Sequence, residues 1–268
     1  MSLEFKAIGA TDAIDAHLGV LEERVFQVHT KWPQFKLLLA DIRRLSGGLP
    51  DGANVASLER TLLYGGFSLF APLFARQKFV SVDCSPESAV ARGAYNESML
   101  RDPRTIYVPT TMRGSELSTG LADNSCDAVL VPNLVHHVAD QSALFGEIAR
   151  LVRPGGQAYL FEPTLRELHQ LPDDYLRYTP NGMTRILAAN GFVAERLETV
   201  GGPFQAIAYC WEQALQYFPE DERKDRENWF WNEHFPQLLE WDSKHESNKV
   251  RRHTSFPVAF SILARKHL

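Results

Sequence analysis

The stretch Cys126–Pro163, CDAVLVPNLVHHVADQSALFGEIARLVRPGGQAYLFEP, spells a complete strand–helix–strand unit. Ala128 to Val131 form a short apolar run behind a charged lead-in, the pattern of a strand covered on both faces in a parallel sheet. Asn133, His136 and His137 follow where that strand emerges, so the loop at its carboxyl end carries the polar groups. Asp140 stands as an N-cap, and Leu144, Phe145, Ile148, Leu151 and Val152 recur at helical spacing until Pro154-Gly155-Gly156 stops the helix. Gln157 to Phe161 supply the next strand, and the unit as a whole predicts an α/β domain.

Working outward, the segment before it holds Phe79 to Val82 as a second strand, Ile106 to Val108 as a third, and Thr61 to Tyr64 as the first, followed by Gly65-Gly66 and a helix from about Phe70 to Arg76. Nearer the amino terminus, Leu18, Leu21, Val25 and Phe26 share one helical face. After Trp32-Pro33, a second helix carries Phe35, Leu38, Leu39, Ile42 and Leu45 and closes at Ser46-Gly47-Gly48, where glycine permits a left-handed cap. Downstream, Thr179 is an N-cap, Pro180 takes the first helical position, and Asn190-Gly191 ends that helix. A strand near Ala194 to Leu197 follows. The aromatic-rich segment from about Ala206 to Arg252 reads as amphipathic helices inserted before a last strand, Val258 to Ala264.

Three pieces of this pattern, Leu134-Val135-His136-His137, Arg153-Pro154-Gly155-Gly156 and Glu162-Pro163, resemble the class I S-adenosylmethionine-dependent methyltransferases, in particular their small-molecule branch. Phe79 to Pro86, FVSVDCSP, is similar to that family's second strand, which ends in an acid. The resemblance runs from about Arg60 to Phe192 and resumes in the last strand. It implies a Rossmann-like, seven-stranded, mostly parallel sheet flanked by helices, with an N-terminal helical cover over residues 1–50 and a methyltransferase-like domain over 51–268 that contains the insertion at about 206–252. It also implies S-adenosylmethionine as cofactor, with Tyr64, Gly65, Gly66, Asp83, Cys84, Thr111, Met112 and Asn133 around it.

Part of that site follows from sheet geometry alone. Ligands of such a sheet sit outside the carboxyl ends of its strands, where a glycine turn lets the backbone pass close beneath them. An acid ending the second strand then reaches the ribose hydroxyls, and Asp83, 17 residues after Gly66, has nearly the separation that a strand–loop–helix–strand unit requires. The other reading of Asp83 is a cap on the next helix. The glycine loop departs from the family: with Gly66 matched, Leu62 occupies the acid position, and Tyr64 with Phe67 or Ser68 occupies the outer glycine positions. Another departure follows the third strand, where Pro109-Thr110-Thr111-Met112-Arg113 replaces the acid that would meet the adenine. Thr111 can still accept a hydrogen bond there, and Met112 can pack on the purine.

Composition narrows the partners. The 268 residues carry a net charge of −5 with a pI near 6.0, and so lack the basic footprint of a phosphate-backbone binder. No run approaches the ~20 apolar residues of a membrane span and no signal peptide opens the chain, so a cytoplasmic location is expected. Cys84, Cys126 and Cys210 are too sparse for a zinc cluster, and adjacent His136 and His137 make a poor metal clamp, so no metal is expected. The expected partner is a small-molecule acceptor.

Methyl transfer from a sulfonium is an in-line displacement, governed by alignment, with a base needed only when the acceptor must lose a proton. His136 and His137 are the base candidates, against a purely scaffolding role. Arg177, within Asp173-Asp174-Tyr175-Leu176-Arg177-Tyr178-Thr179, resembles an acceptor-side passage of related enzymes; its plainer reading is a salt bridge to Asp173 or Asp174. The aromatics Trp211, Tyr217, Phe218, Trp229, Phe230, Trp231, Phe235 and Trp241 line an acceptor pocket, form a homodimer surface, or make core. The competing function is a non-catalytic relative that keeps the fold for ligand or partner binding.

Overall fold

In the computed structural model the described residues are 6–7, 32–60, 68, 70–84, 105–107, 117–245 and 256–268. Among them one mixed sheet of eight strands runs through the molecule: β1 (Lys6–Ala7), β2 (Asn54–Glu59), β3 (Lys78–Asp83), β4 (Thr105–Tyr107), β5 (Cys126–Pro132), β6 (Val152–Pro163), β7 (Phe192–Val200) and β8 (Ala259–Lys266). The central order is β3-β2-β5-β6-β8-β7, all six of these strands being at least six residues long, and the short β4 and β1 both pair with β3. Pairings among β2, β3, β4, β5 and β6 are parallel, while β8 runs antiparallel to both β6 and β7. Seven strands were expected; the additional one is the two-residue antiparallel bridge of β1. Because β2 has β3 on one side and β5 on the other, the chain reverses its direction of winding there, and in such sheets ligands bind outside the carboxyl ends at that point.

Period-two alternation sorts the apolar residues onto two faces. Ala56, Leu58, Val80, Val82, Val129 and Val131 pack beneath α2 (Gln141–Leu151) and α3 (Pro180–Ala189), against Leu144, Ile148, Leu151, Met183 and Leu187. Val55, Phe79, Ala128, Leu130, Tyr159 and Phe161 face the other way, toward Leu38, Ile42 and Leu45 of α1 (Pro33–Gly48). Each fully buried Leu, Ile, Val or Phe contributes about 1.5–3 kcal/mol, so these two layers are the main support of the sheet. A polar contact crosses the second layer: buried Asp41 of α1 accepts from Ser261 Oγ at 2.6 Å and Arg196 Nη2 at 2.9 Å, which ties the helix to β8 and β7.

The caps form as their residue types dictate. Asp140 accepts from Ala143 N at 2.9 Å and Thr179 from Gly182 N at 3.1 Å, each satisfying a backbone donor that the first helical turn leaves free. After α2 the chain turns directly into β6. Gly155 has φ +74°, and a Cβ on Gly156 would lie 2.9 Å from the Asp127 carbonyl, so both glycines are needed for the turn.

The first strand requires a correction. It is Asn54–Glu59, whereas Thr61 to Tyr64, the segment read as that strand, lies outside the described residues. The polar Asn54, Ser57 and Glu59 disguised a strand that is nevertheless buried from Val55 onward. Two helix readings also change. Ala71–Phe74 is a single 3-10 turn rather than a helix to Arg76, and Gly47 and Gly48 stay within α1, with the extended Leu49 as its cap. The helical segment read before Trp32 lies outside the described residues.

Between β7 and β8 stand α4 (Pro203–Leu215), α5 (Glu220–Trp229) and α6 (Phe235–His245), with a π turn at Phe230–His234 joining the last two. Their aromatics build a third apolar cluster around Trp32, whose ring lies 4.8 Å from Phe235 and 5.8 Å from Tyr209. Phe230 and Phe235 are buried and Trp211, Phe218, Trp231 and Trp241 are packed against them, so most of this set is the insertion's own core. Tyr217, 91% exposed, takes no part in it. Among the described residues, no helix is long and apolar enough to cross a membrane.

Candidate active site

The carboxyl ends of β2 and β3 bring two acids side by side. Glu59 and Asp83 are register partners on adjacent parallel strands, both are buried, and Cys84 N donates to the Glu59 carbonyl at 2.6 Å just beyond them. Loss of water raises the Glu59 carboxyl to about 7; the hydroxyls of Ser57 and Ser68 oppose the rise and the Asp83 charge adds to it. Ser68 Oγ donates to Glu59 Oε1. The next residue, Arg60, is largely buried, its guanidinium lowered from its ordinary value by desolvation against the attraction of Asp173 and Asp83.

Sequence reasoning missed Glu59 as a site residue because it placed the first strand too late. With β2 ending at Glu59, that strand closes on an acid, while Leu62, to which the acid position was assigned, lies outside the described residues. The usable signal was VASLE, a five-residue run closed by an acid, 24 residues before Asp83. Tyr64, Gly65, Gly66, Thr111 and Met112 lie outside the described residues. Cys84 sits beside Asp83, but its thiol belongs to the apolar layer under α2, and burial pushes its pKa well up. Asn133 holds φ +57° at the end of β5, and its N–H donates to the Phe161 carbonyl at 2.7 Å.

Past Asn133 a 3-10 turn, Val135–His137, presents the two histidines. Glu162, near the end of β6, grips this turn twice: Oε1 accepts from Val135 N at 2.7 Å, and Oε2 lies 2.6 Å from His136 Nδ1. His137 Nδ1 lies 2.5 Å from the Asp173 carbonyl, an acceptor that requires this nitrogen to carry the proton. The two ring centroids are 3.9 Å apart, so the turn brings together side chains that chain adjacency had suggested would diverge. Burial, with help from His136 and Arg60, lowers His137 to about 2. The shift favours the neutral ring, which acts here as a hydrogen-bonding group toward the Asp173 carbonyl.

The loop after β6 closes over this turn. Tyr175 N donates to the His136 carbonyl at 2.9 Å, and His169 lies with its ring centroid 5.3 Å from His136 and 4.9 Å from His137. Asp174 organises the loop: its Oδ2 accepts from His169 N at 3.0 Å and from Arg177 Nη2 at 2.8 Å, and Arg177 Nη1 donates to Oδ1. Burial acts to raise the Asp174 carboxyl, but Arg177 and the His169 N–H outweigh it and hold the group well below the usual carboxylate range. Arg177 also reaches the Glu167 carbonyl at 3.1 Å, and Glu167 in turn accepts from Tyr209 of α4. Arg177 is therefore engaged in holding the loop, the plainer of its two readings. Nothing in local sequence pattern marks His169, which meets the turn only through the fold.

Two openings lie elsewhere. One of about 320 Å³, lined by Arg44, Asp127, Arg153, Arg196 and Arg265 among others, is at the amino ends of the parallel strands, away from Glu59 and Asp83. The other, apolar and about 510 Å³, is formed by α4 with Leu165 and Phe256.

A parallel sheet with a winding reversal at β2, and an acid ending each of two adjacent strands there, defines a Rossmann-like domain of the kind that holds nucleotide-type cofactors. Comparison narrows the class. The methyltransferase-domain family model matches residues 64–160. An uncharacterized methyltransferase of Mycobacteroides abscessus is 36% identical over 111 residues, 40% of this chain and 41% of that protein. Another, of Mycobacterium sp. strain JLS, is 32% identical over 141 residues, 47% and 53% of the two. The chain thus matches about half or less of the length of these curated relatives. A Bacillus halodurans C-125 protein assigned as a methyltransferase superposes with a TM-score of 0.50 at 15% identity, over 86% of this chain and 99% of that one, a likeness of fold. Over less than half of its length the chain is thus similar to methyltransferases, and its fold is one that methyltransferases share.

Proposed function

We propose that the protein binds S-adenosylmethionine at the crevice beyond β2 and β3 and transfers its methyl group to an oxygen or nitrogen of a small-molecule acceptor. The observation that carries this reading is the pair of buried acids, Glu59 and Asp83, in register at the winding reversal. Asp83 takes the ribose hydroxyls, Glu59 lies beneath the loop that leads to Gly65 and Gly66, and Asn133 lines the same edge from β5. Tyr64, Thr111 and Met112 complete the cofactor's surroundings in this reading, and Cys84 contributes through its backbone.

S-adenosylmethionine supplies an electrophilic methyl group, and the chain's own task is to align an acceptor with it and exclude water. The histidine turn stands on the acceptor side. Each imidazole gives its Nδ1 to a fixed partner and leaves a buried Nε2 without one, with the His169 ring close by, so in this reading these atoms orient the acceptor. Arg177 acts at one remove, by holding that loop through Asp174. A small acceptor agrees with the acidic composition of the chain and with the covered, buried setting of the histidines.

Calorimetric titration of the purified chain with S-adenosylmethionine and with S-adenosylhomocysteine tests the reading. Micromolar binding of both is expected, and Asp83→Ala should lose about 1.5–3 kcal/mol, the worth of hydrogen bonds to a charged group. Unchanged affinity in that variant removes Asp83 from the cofactor site; absence of binding in the wild type refutes the cofactor reading.

A further inference from the structure

We propose that His136, His137 and His169 form a binding site for one divalent transition-metal ion of the zinc class, held through the three Nε2 atoms with a further coordination position left open. One ring nitrogen from each of the three residues lies within 4.8 Å of the others, and the residues come from two segments that only the fold brings together. The Nδ1 atoms are already committed: His136 to the Glu162 carboxylate at 2.6 Å, His137 to the Asp173 carbonyl at 2.5 Å, and His169 to Asp174 Oδ2 and the Glu167 carbonyl, both at 3.1 Å. A proton on each Nδ1 leaves a lone pair on each Nε2, which is the form of imidazole that ligates metals. The Nε2 atoms of His136 and His137 are buried and have no hydrogen-bond partner, although both rings are 1% exposed. Two buried acceptors left unsatisfied are costly, and a bound cation removes that cost.

The surroundings match what metal-bound imidazoles require. Such a ring characteristically donates its other N–H to a carboxylate or a backbone carbonyl, which fixes its tautomer and aim, and all three rings here have such a partner. Metal–nitrogen bonds of about 2.0–2.1 Å in a tetrahedron place the nitrogens about 3.3–3.4 Å apart, so the present limit of 4.8 Å closes by ring rotations and a small shift of the loop. The charge balance permits a cation. Arg60 and Arg166 act on His137 and His169 with like charge, and Glu162 and Asp174, each bonded to a ligand ring, oppose them. Three protein ligands leave the fourth position for water or for a heteroatom of a bound molecule, the arrangement of reactive rather than structural zinc sites. This inference concerns the acceptor side of the site proposed above, and its test is independent of S-adenosylmethionine.

The tag-free 268-residue chain, stripped with a chelator, is titrated with Co(II) and with Zn(II) in the absence of other ligands. Expected are saturation at one ion per chain, visible ligand-field absorption for Co(II) at an intensity typical of four-coordinate sites, and a rise in Tm with Zn(II) by mass action. His169→Ala, a change in a half-buried loop, should weaken binding at least tenfold while leaving the far-ultraviolet dichroism unchanged. Glu162→Gln should weaken it about 10–100-fold, the range for loss of a partner behind a ligand. No saturable binding, or equal affinity and spectra in the wild type and His169→Ala, overturns the proposal. Failure to bind S-adenosylmethionine alongside intact metal binding would count against the methyl-transfer reading alone.

Discussion

Replacing Glu59 with glutamine tests whether burial at the end of β2 has the electrostatic consequence derived for it. The carboxyl moves from about 4.5 in the ordinary state to about 7 in the fold, because the desolvated group favours its neutral form. A carboxyl raised in the native state contributes its stability in full below the unfolded value near 4.5 and loses it as pH rises through 7. Between those two values the folded chain holds one more proton than the unfolded chain, so stability falls by about 1.4 kcal/mol per pH unit, for a total of about 3 kcal/mol. Glu59→Gln keeps the size of the side chain and removes the titration. Urea denaturation of both proteins at intervals from pH 4.5 to 8.5 gives the difference in unfolding free energy, from which all shared titrations cancel. That difference should shift in favour of the variant by about 3 kcal/mol across the range. A difference that stays constant within about 0.5 kcal/mol would refute the burial argument and mean that water or a cation reaches the carboxylate.

Two other substitutions probe the scaffold. Arg177→Ala leaves the buried Asp174 without its cation and should cost about 3 kcal/mol, while the double variant with Asp174→Ala should cost less than the two single losses combined; strict additivity in denaturation midpoints would show that the pair is uncoupled. Gly201→Ala forces a residue with φ +106° to carry a Cβ 2.7 Å from Val258 Cγ2, so about 2–4 kcal/mol should be lost on thermal unfolding, and a change under 0.5 kcal/mol would mean that the joint adjusts freely.

Where local chemistry decides the structure, the sequence was readable. Asp140 and Thr179 cap the helices they precede, Arg153-Pro154-Gly155-Gly156 stands just past the end of α2 as an irregular start to β6, and the strands around Phe79, Ala128, Gln157, Ala194 and Val258 lie where apolar runs placed them. Where long-range contacts decide, it was not. A central strand tolerates Ser57 and Glu59 because neighbouring strands and Ser68 surround them, and no periodicity announces that. Asp83 was legible from its position after a strand, whereas its register partner was lost with the misplaced strand. The histidine turn was visible as a pair, but its third member follows 32 residues after His137, and its convergence depends on Asp173, Asp174 and Tyr175 folding the loop back. The aromatic segment, read as helical, is helical through most of its described residues, up to His245, and burial alone showed that most of its rings face one another.

The helical insertion leaves and rejoins the sheet at one place. Val200 ends β7, Val258 N donates to the Val200 carbonyl at 2.8 Å, and Val200 is the register partner of Ala259. From the standpoint of the sheet, the whole segment that carries α4, α5 and α6 amounts to the loop of a single β-hairpin. Closing a longer or shorter loop across fixed ends changes the entropy by only about 0.6 kcal/mol for each doubling of length. Asp242 adds an internal latch by accepting from Phe204 N and Gln205 N at the start of α4, so α4 and α6 hold each other. Such a module can be exchanged, lengthened or reshaped during descent without renegotiating the strand register that positions Glu59 and Asp83. The hairpin root at Gly201 and Val258 is thus the natural seam of this protein, across which one half of the molecule can diversify while the other stays constant.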